Sequence, residues 1–254
     1  MEKESRFSRK GLFANPITKK LRRSEYVAEG DAASYRGVAV NTLLLLLTVM
    51  IGGALGMMVT DPMLMLILGI ASLVVMLLSP LFVNMSTRIA PAASVIGSLA
   101  MGYAVGFAGY MLPEFSDVIF LAAVLTVAIV LSMMCVYFSG MIKVTAKFKR
   151  VLYSLLLASV IGSLMLFILF LIPATRSITA FFLTNPLICL LFSVLGVLLA
   201  SFFLLSDFDD IERVVGSGLP RAYEWSASYS LVITVVWLYL EIFDLIMTIR
   251  DLFD

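Results

Sequence analysis

The stretch Trp237–Met247, WLYLEIFDLIM, places Glu241 and Asp244 three residues apart inside an otherwise apolar run near the end of the chain. An ionisable side chain at mid-bilayer costs about 3 kcal/mol on insertion scales, so a carboxyl there has a partner or a task. Thr234, Trp237, Glu241, Asp244 and Thr248 recur at helical spacing, while leucine, isoleucine, valine and Phe243 cover much of the remaining surface. That polar face is expected to look inward, towards protein or water.

Working outward, the 254 residues are 61% hydrophobic and 14% charged, with mean hydropathy +1.06. An ordinary soluble domain is about half apolar and about one quarter charged, so this composition describes an integral membrane protein. A crossing helix needs about 20 mostly apolar residues. Seven such runs occur, near 38–59, 62–83, 89–112, 116–138, 150–173, 184–207 and 225–249. The connectors carry turn formers and charges, among them TDP at 60–62, LPEFSD at 112–117 and KVTAKFKR at 143–150. The fold class is therefore all-α, a single bundle of seven transmembrane helices over 38–250. A basic tail at 1–37 precedes it and a short tail at 251–254 follows. The N-terminal segment has no apolar core of the signal-peptide type.

Sixteen of the eighteen lysines and arginines fall on one side of this arrangement, leaving Arg176 and Arg250 on the other. The basic side is expected to be cytosolic, with the N terminus inside and the C terminus outside. Gly52, Gly53 and Gly56 in the first span, and Ala92, Ala93, Gly97, Ala100, Gly102, Ala104 and Gly106 in the third, permit close helix approach.

Several function classes drop out. A net charge of +1 gives no concentrated basic surface for nucleic acid. The chain has no histidine, which removes a Ser–His dyad and a HExxH zinc site, and no enzyme or bound cofactor is expected. The two cysteines, Cys135 and Cys189, each sit in an apolar run and suggest neither a disulfide framework nor a thiolate metal site. The fifteen methionines form no single stripe and read as adaptable apolar filling.

A second acidic group closes the sixth span. LLSDFDDIE puts Asp207 and Asp210 on one face, with Asp207 following directly on an apolar run. Antiparallel sixth and seventh spans are expected to bring Asp207 towards Glu241. Two carboxyls in a poorly solvated site do not both ionise cheaply, so such a pair is expected to share a proton near neutral pH and to act as a latch. Their oxygens also suit Ca²⁺. One geometric difficulty stands against the pairing. Glu241 lies sixteen residues beyond Trp225, about 24 Å of helix. The two carboxyls meet only if the seventh helix begins well outside the hydrocarbon or the sixth continues past Asp207.

At these residues the chain resembles the Bax inhibitor-1 family, and within it the bacterial, YccA-like branch. The matching pieces are SDFDDIERVVGSGLPRAYEW at 206–225, VVWLYLEIFDLI at 235–246 and SGMIKVTAKFKR at 139–150. The resemblance implies a central helix surrounded by the others and a pH-sensitive Ca²⁺ leak. It implies a gate made by one acidic residue from the sixth span and one from the seventh, with Asp207 and Glu241 at those positions and Asp244 and Asp210 as nearby oxygen ligands. It further implies an arginine partner, for which Arg88 is the nearest candidate. Membrane lipid and Ca²⁺ are the expected partners, in a bacterial cytoplasmic membrane. Two alternatives stay open: a proton-coupled transporter, and a non-transporting regulator of a membrane protease or stress response that docks through RKGLFANPITKKLRR at 9–23.

Overall fold

The computed structural model describes residues 32–111 and 116–253. The basic stretch at 9–23 lies outside them. Eight helices occur among the described residues: α1 (Tyr35–Met58), α2 (Pro62–Met85), α3 (Ala90–Met111), α4 (Ser116–Phe138), α5 (Ala146–Leu171), α6 (Arg176–Thr184), α7 (Pro186–Gly216) and α8 (Tyr223–Phe253). Seven of them, all but α6, are long and apolar enough to cross a membrane. The protein is an all-α polytopic membrane protein.

Local chemistry sets the helix starts. Ser34, Asp61, Thr145 and Asn185 are N-caps whose side chains accept from backbone N–H groups of the first turn. Pro62 and Pro186 follow two of these caps, where the missing N–H has no cost. The short α6 occupies what reads in the sequence as a plain connector between the fifth and sixth spans.

Two boundaries differ from the sequence reading in ways that matter. The sixth span does not stop at residue 207. Helix α7 continues to Gly216, because IERVVG carries no breaker until Gly218 turns the chain at φ +60. Helix α8 begins at Tyr223 and runs to Phe253. Each therefore has 31 residues, about 46 Å of helix against a hydrocarbon core of about 30 Å.

The core is organised around α8, which packs against α1, α2, α3, α4 and α7, while α5 and α6 sit on the flank of α7. Leu45, Val83, Met101, Tyr229, Val232 and Val236 join α1, α2, α3 and α8 in one buried cluster. Helices α1 and α3 approach backbone to backbone: a Cβ on Gly102 or Gly106 would overlap the carbonyl of Val49 or Gly53, and one on Gly52 would overlap that of Leu99. Contacts at both ends confirm the alternation of the spans. Ser34 at the start of α1 meets Glu224 at the start of α8, and Arg250 near the end of α8 reaches Asp117 near the start of α4 at 4.0 Å.

Candidate functional site

The α7–α8 hairpin turns at residues 217–222, so residues equally far from the turn face each other. Asp207 stands nine residues before the end of α7 and Ser230 seven residues after the start of α8. They meet: Ser230 Oγ donates to Asp207 Oδ1 at 2.8 Å. Asp207 is only 6% exposed. Its other oxygen, Oδ2, makes no hydrogen bond of good geometry among the described residues, and the Thr234 hydroxyl of α8 is the second group that acts on this carboxyl. A buried carboxyl with one satisfied oxygen is chemically poised to gain a proton or a cation, because either would occupy the second oxygen.

Glu241 is not the partner of Asp207. It lies eleven residues beyond Ser230, about 16 Å farther along α8. Its carboxylate rests on α7 against Gly196, where a Cβ would overlap it, and Oε1 accepts from Trp237 Nε1 at 2.7 Å. Asp244, one turn on, accepts from Ser193 Oγ of α7, and Ser193 also lies 3.4 Å from Thr248 Oγ1. The polar face of α8 thus does look at α7, but it forms two stations, Asp207 with Ser230 and Glu241 with Asp244. Between them Trp237 packs on Phe203 with ring centroids 5.5 Å apart, above the buried Leu204 and Leu238. The extension of α7 to Gly216 carries Asp207 from the turn to the level of Ser230, but it is nine residues long and Glu241 lies eighteen residues into α8, so the two carboxyls stay apart.

Arg88 and Asp210 take other places. Arg88 is exposed beyond the end of α2 and makes no ion pair among the described residues. The cation that another helix brings to this acidic end is Lys149 of α5. Its Nζ lies 3.0 Å from Asp209 and 2.5 Å from Asp210 and donates to the Ser206 carbonyl at 3.4 Å. Asp210 is therefore an exposed ion-pair partner rather than a ligand turned towards Asp207. Asp209 also pairs with Arg213 at 2.7 Å, and Tyr137 of α4 donates to Glu212. A cleft of about 470 Å³ opens here among Tyr35, Tyr137, Lys143, Phe208, Asp209 and Glu212, reaching the immediate neighbour of Asp207. With Glu241 about 16 Å farther along α8 than Ser230, Asp207 and Glu241 do not make one Ca²⁺ site.

Three consecutive α8 residues bind three different helices. Ser228 Oγ donates to the Val38 carbonyl of α1 at 2.9 Å, Tyr229 Oη meets Ser79 Oγ of α2 at 2.5 Å, and Ser230 takes Asp207 of α7. Successive helical residues point about 100° apart, so a triplet does this only on a helix surrounded by the others. One turn earlier, the buried Glu224 accepts from both N and Oγ of Ser34, at 2.9 and 3.1 Å. Ser230, Lys149 and Glu224 escape a search for paired charges. Ser230 is uncharged, and the other two read as interface charges until the helix register is known.

The sequence model of the Bax inhibitor 1 like family matches residues 14–251. No curated protein matches the chain. With the described spans, the central α8 and the acidic α7–α8 seam all falling inside that match, the chain belongs to the Bax inhibitor 1 like family of membrane proteins.

Proposed function

We propose that this protein is a pH-sensitive cation leak, with Ca²⁺ the favoured ion, operated along the α7–α8 seam. The observation that carries this reading is Asp207, a buried carboxyl with one oxygen held by Ser230 and the other without a hydrogen bond of good geometry. Ionised, its free oxygen is a hard ligand for a passing cation; protonated, it carries no charge and becomes a donor. The gate in this reading is Asp207 with Ser230 at the basic end. Glu241 and Asp244 form a separate acidic station about 16 Å farther along the seam, and Trp237 with Phe203 separates the two. The basic end, with Lys149 and the cleft beside Phe208, faces the cytosol of a bacterial cell, because positively charged flanks stay inside.

The test is Ca²⁺ flux into dye-loaded liposomes containing the purified protein, scanned from acid to alkaline pH. The wild type is expected to show flux that changes with pH, and Asp207→Asn, which keeps the shape but cannot ionise, to flatten that dependence. Glu241→Gln is expected to lower the flux while preserving its pH profile, since it removes charge at the second station only. Absence of flux at every pH from a folded protein overturns the leak and leaves the regulator of a membrane protease or stress response as the reading to pursue.

A separate expectation concerns the aromatic layer. Trp237→Ala removes the indole that stands against Phe203, so basal flux is expected to rise several-fold at all pH values. Unchanged flux in that variant would place the constriction elsewhere.

A further inference from the structure

Away from the acidic seam, the most deeply buried hydroxyls without partners are on α3. Ser94 and Ser98 are fully buried, and neither Oγ has a hydrogen-bond partner among the described residues. Their behaviour is unusual for this protein. Thr42, Ser72, Thr126 and Ser201 all return their hydroxyl protons to a carbonyl three or four residues back in their own helix. A buried hydroxyl left unsatisfied loses the hydrogen bonds it made to water, so two on one helix call for a polar companion.

Ser94, Ser98 and Met101 follow one face of α3 at i, i+4 and i+7. Gly97 stands among them, and the space a side chain would fill there holds Tyr229 Oη and Ser79 Oγ. Pro80 has no N–H, so the Met76 carbonyl lacks its helical donor, and Ser79 Oγ supplies one at 3.2 Å. Tyr229 Oη lies 2.5 Å from Ser79 Oγ, a hydrogen bond in which either hydroxyl can donate. In either arrangement the phenol retains hydrogen-bonding capacity for a further polar partner. The Tyr229 and Ser79 hydroxyls meet α3 at Gly97, between Ser94 and Ser98 in the chain and without a carboxylate, which suits a neutral molecule that both donates and accepts.

We propose that Ser94, Ser98 and Tyr229 hold bound water between α3 and α8, a buried hydration site on a different side of α8 from Asp207. A buried water characteristically makes two to four hydrogen bonds, which these three hydroxyls supply. The inference does not require that any cation crosses the protein.

The experiment is hydroxyl-radical labelling of the full chain in lipid nanodiscs, with X-ray radiolysis of water as the radical source and oxidation read by mass spectrometry. Met101 and Met65 make an internal comparison, because they are the same residue type at 3% and 4% exposure. Radicals born from a bound water react beside it, so Met101 is expected to oxidise several-fold faster than Met65. In Ser94→Ala/Ser98→Ala the two rates are expected to converge. Equal rates in the wild type overturn the proposal without need of any variant. So does a fast Met101 that is indifferent to loss of both serine hydroxyls. If the double variant does not fold, Ser98→Ala alone is expected to reduce the ratio, and an unchanged ratio counts against the site.

Discussion

Gly106→Ala is expected to destabilise the bundle by about 3 kcal/mol, the upper end of ordinary overpacking costs, and Gly106→Leu to prevent recovery of folded protein. The new Cβ would fall on the Gly53 carbonyl of α1. Side-chain overlaps are relieved by rotamer changes, but this obstacle is backbone, and moving it separates α1 from α3 along their shared length. That separation would also loosen Gly52, Gly56 and Gly102, which lie in the same backbone-to-backbone crossing. Nothing in lipid replaces the lost van der Waals contact with a better one. Gly162→Ala on α5 is the control, since no atom lies within 4 Å of a Cβ there. Thermal unfolding in detergent decides the matter. A Gly106→Ala protein that melts with the wild type would mean that α1 and α3 are not so closely apposed.

Glu224→Ala is expected to cost about 2 kcal/mol, the range for hydrogen bonds to a charged acceptor. Glu224 is 2% exposed and accepts from the N–H and hydroxyl of Ser34, the N-cap residue of α1. Its negative charge also stands at the positive end of the α1 dipole. The carboxylate thus ties the start of α1 to the start of α8, beside the backbone pairing of Ala33 with Leu219 at 2.7 Å. The Arg221 pair at 3.6 Å adds little, because that arginine is largely exposed. Glu224→Gln keeps an acceptor oxygen of the same reach and is expected to retain more than half of the stability that alanine loses. The readouts are the melting temperature and amide hydrogen exchange over residues 34–38, which should accelerate in the alanine variant. Exchange indistinguishable from wild type would show that the contact does not hold α1.

Much of the site is legible in the chain as residue types and little of it as pairs. Asp207, Glu241 and Asp244 announce themselves because carboxyls in apolar runs are expensive, and all three do face the α7–α8 seam. The pairing of Asp207 with Glu241 fails on register: α7 does continue past Asp207, but only for nine residues to Gly216, whereas Glu241 lies eighteen residues beyond the start of α8. Charged residues such as Asp209, Asp210, Glu212 and Arg213 lower the hydropathy of that segment without breaking its helix. Hydropathy therefore marks where the hydrocarbon ends and not where the helix does. Ser230 is missed for a related reason, since one serine among many gains meaning only from the residue opposite.

By itself the sequence determined the class of the molecule: seven spans, one basic end, a glycine-rich first and third helix, and acidic residues that have to face inward. Those conclusions follow from solvation, which acts on each segment separately and can be added up along the chain. Only the tertiary structure decided that Asp207 meets Ser230 and that Lys149 rather than Arg88 attends the acidic end. It alone showed that Ser228, Tyr229 and Ser230 reach α1, α2 and α7. These are matters of register between helices, set by where each helix stops and by backbone contacts such as Gly106 against Gly53. A shift of one turn, about 5.4 Å, would preserve every hydropathy signal while giving Asp207 a different partner.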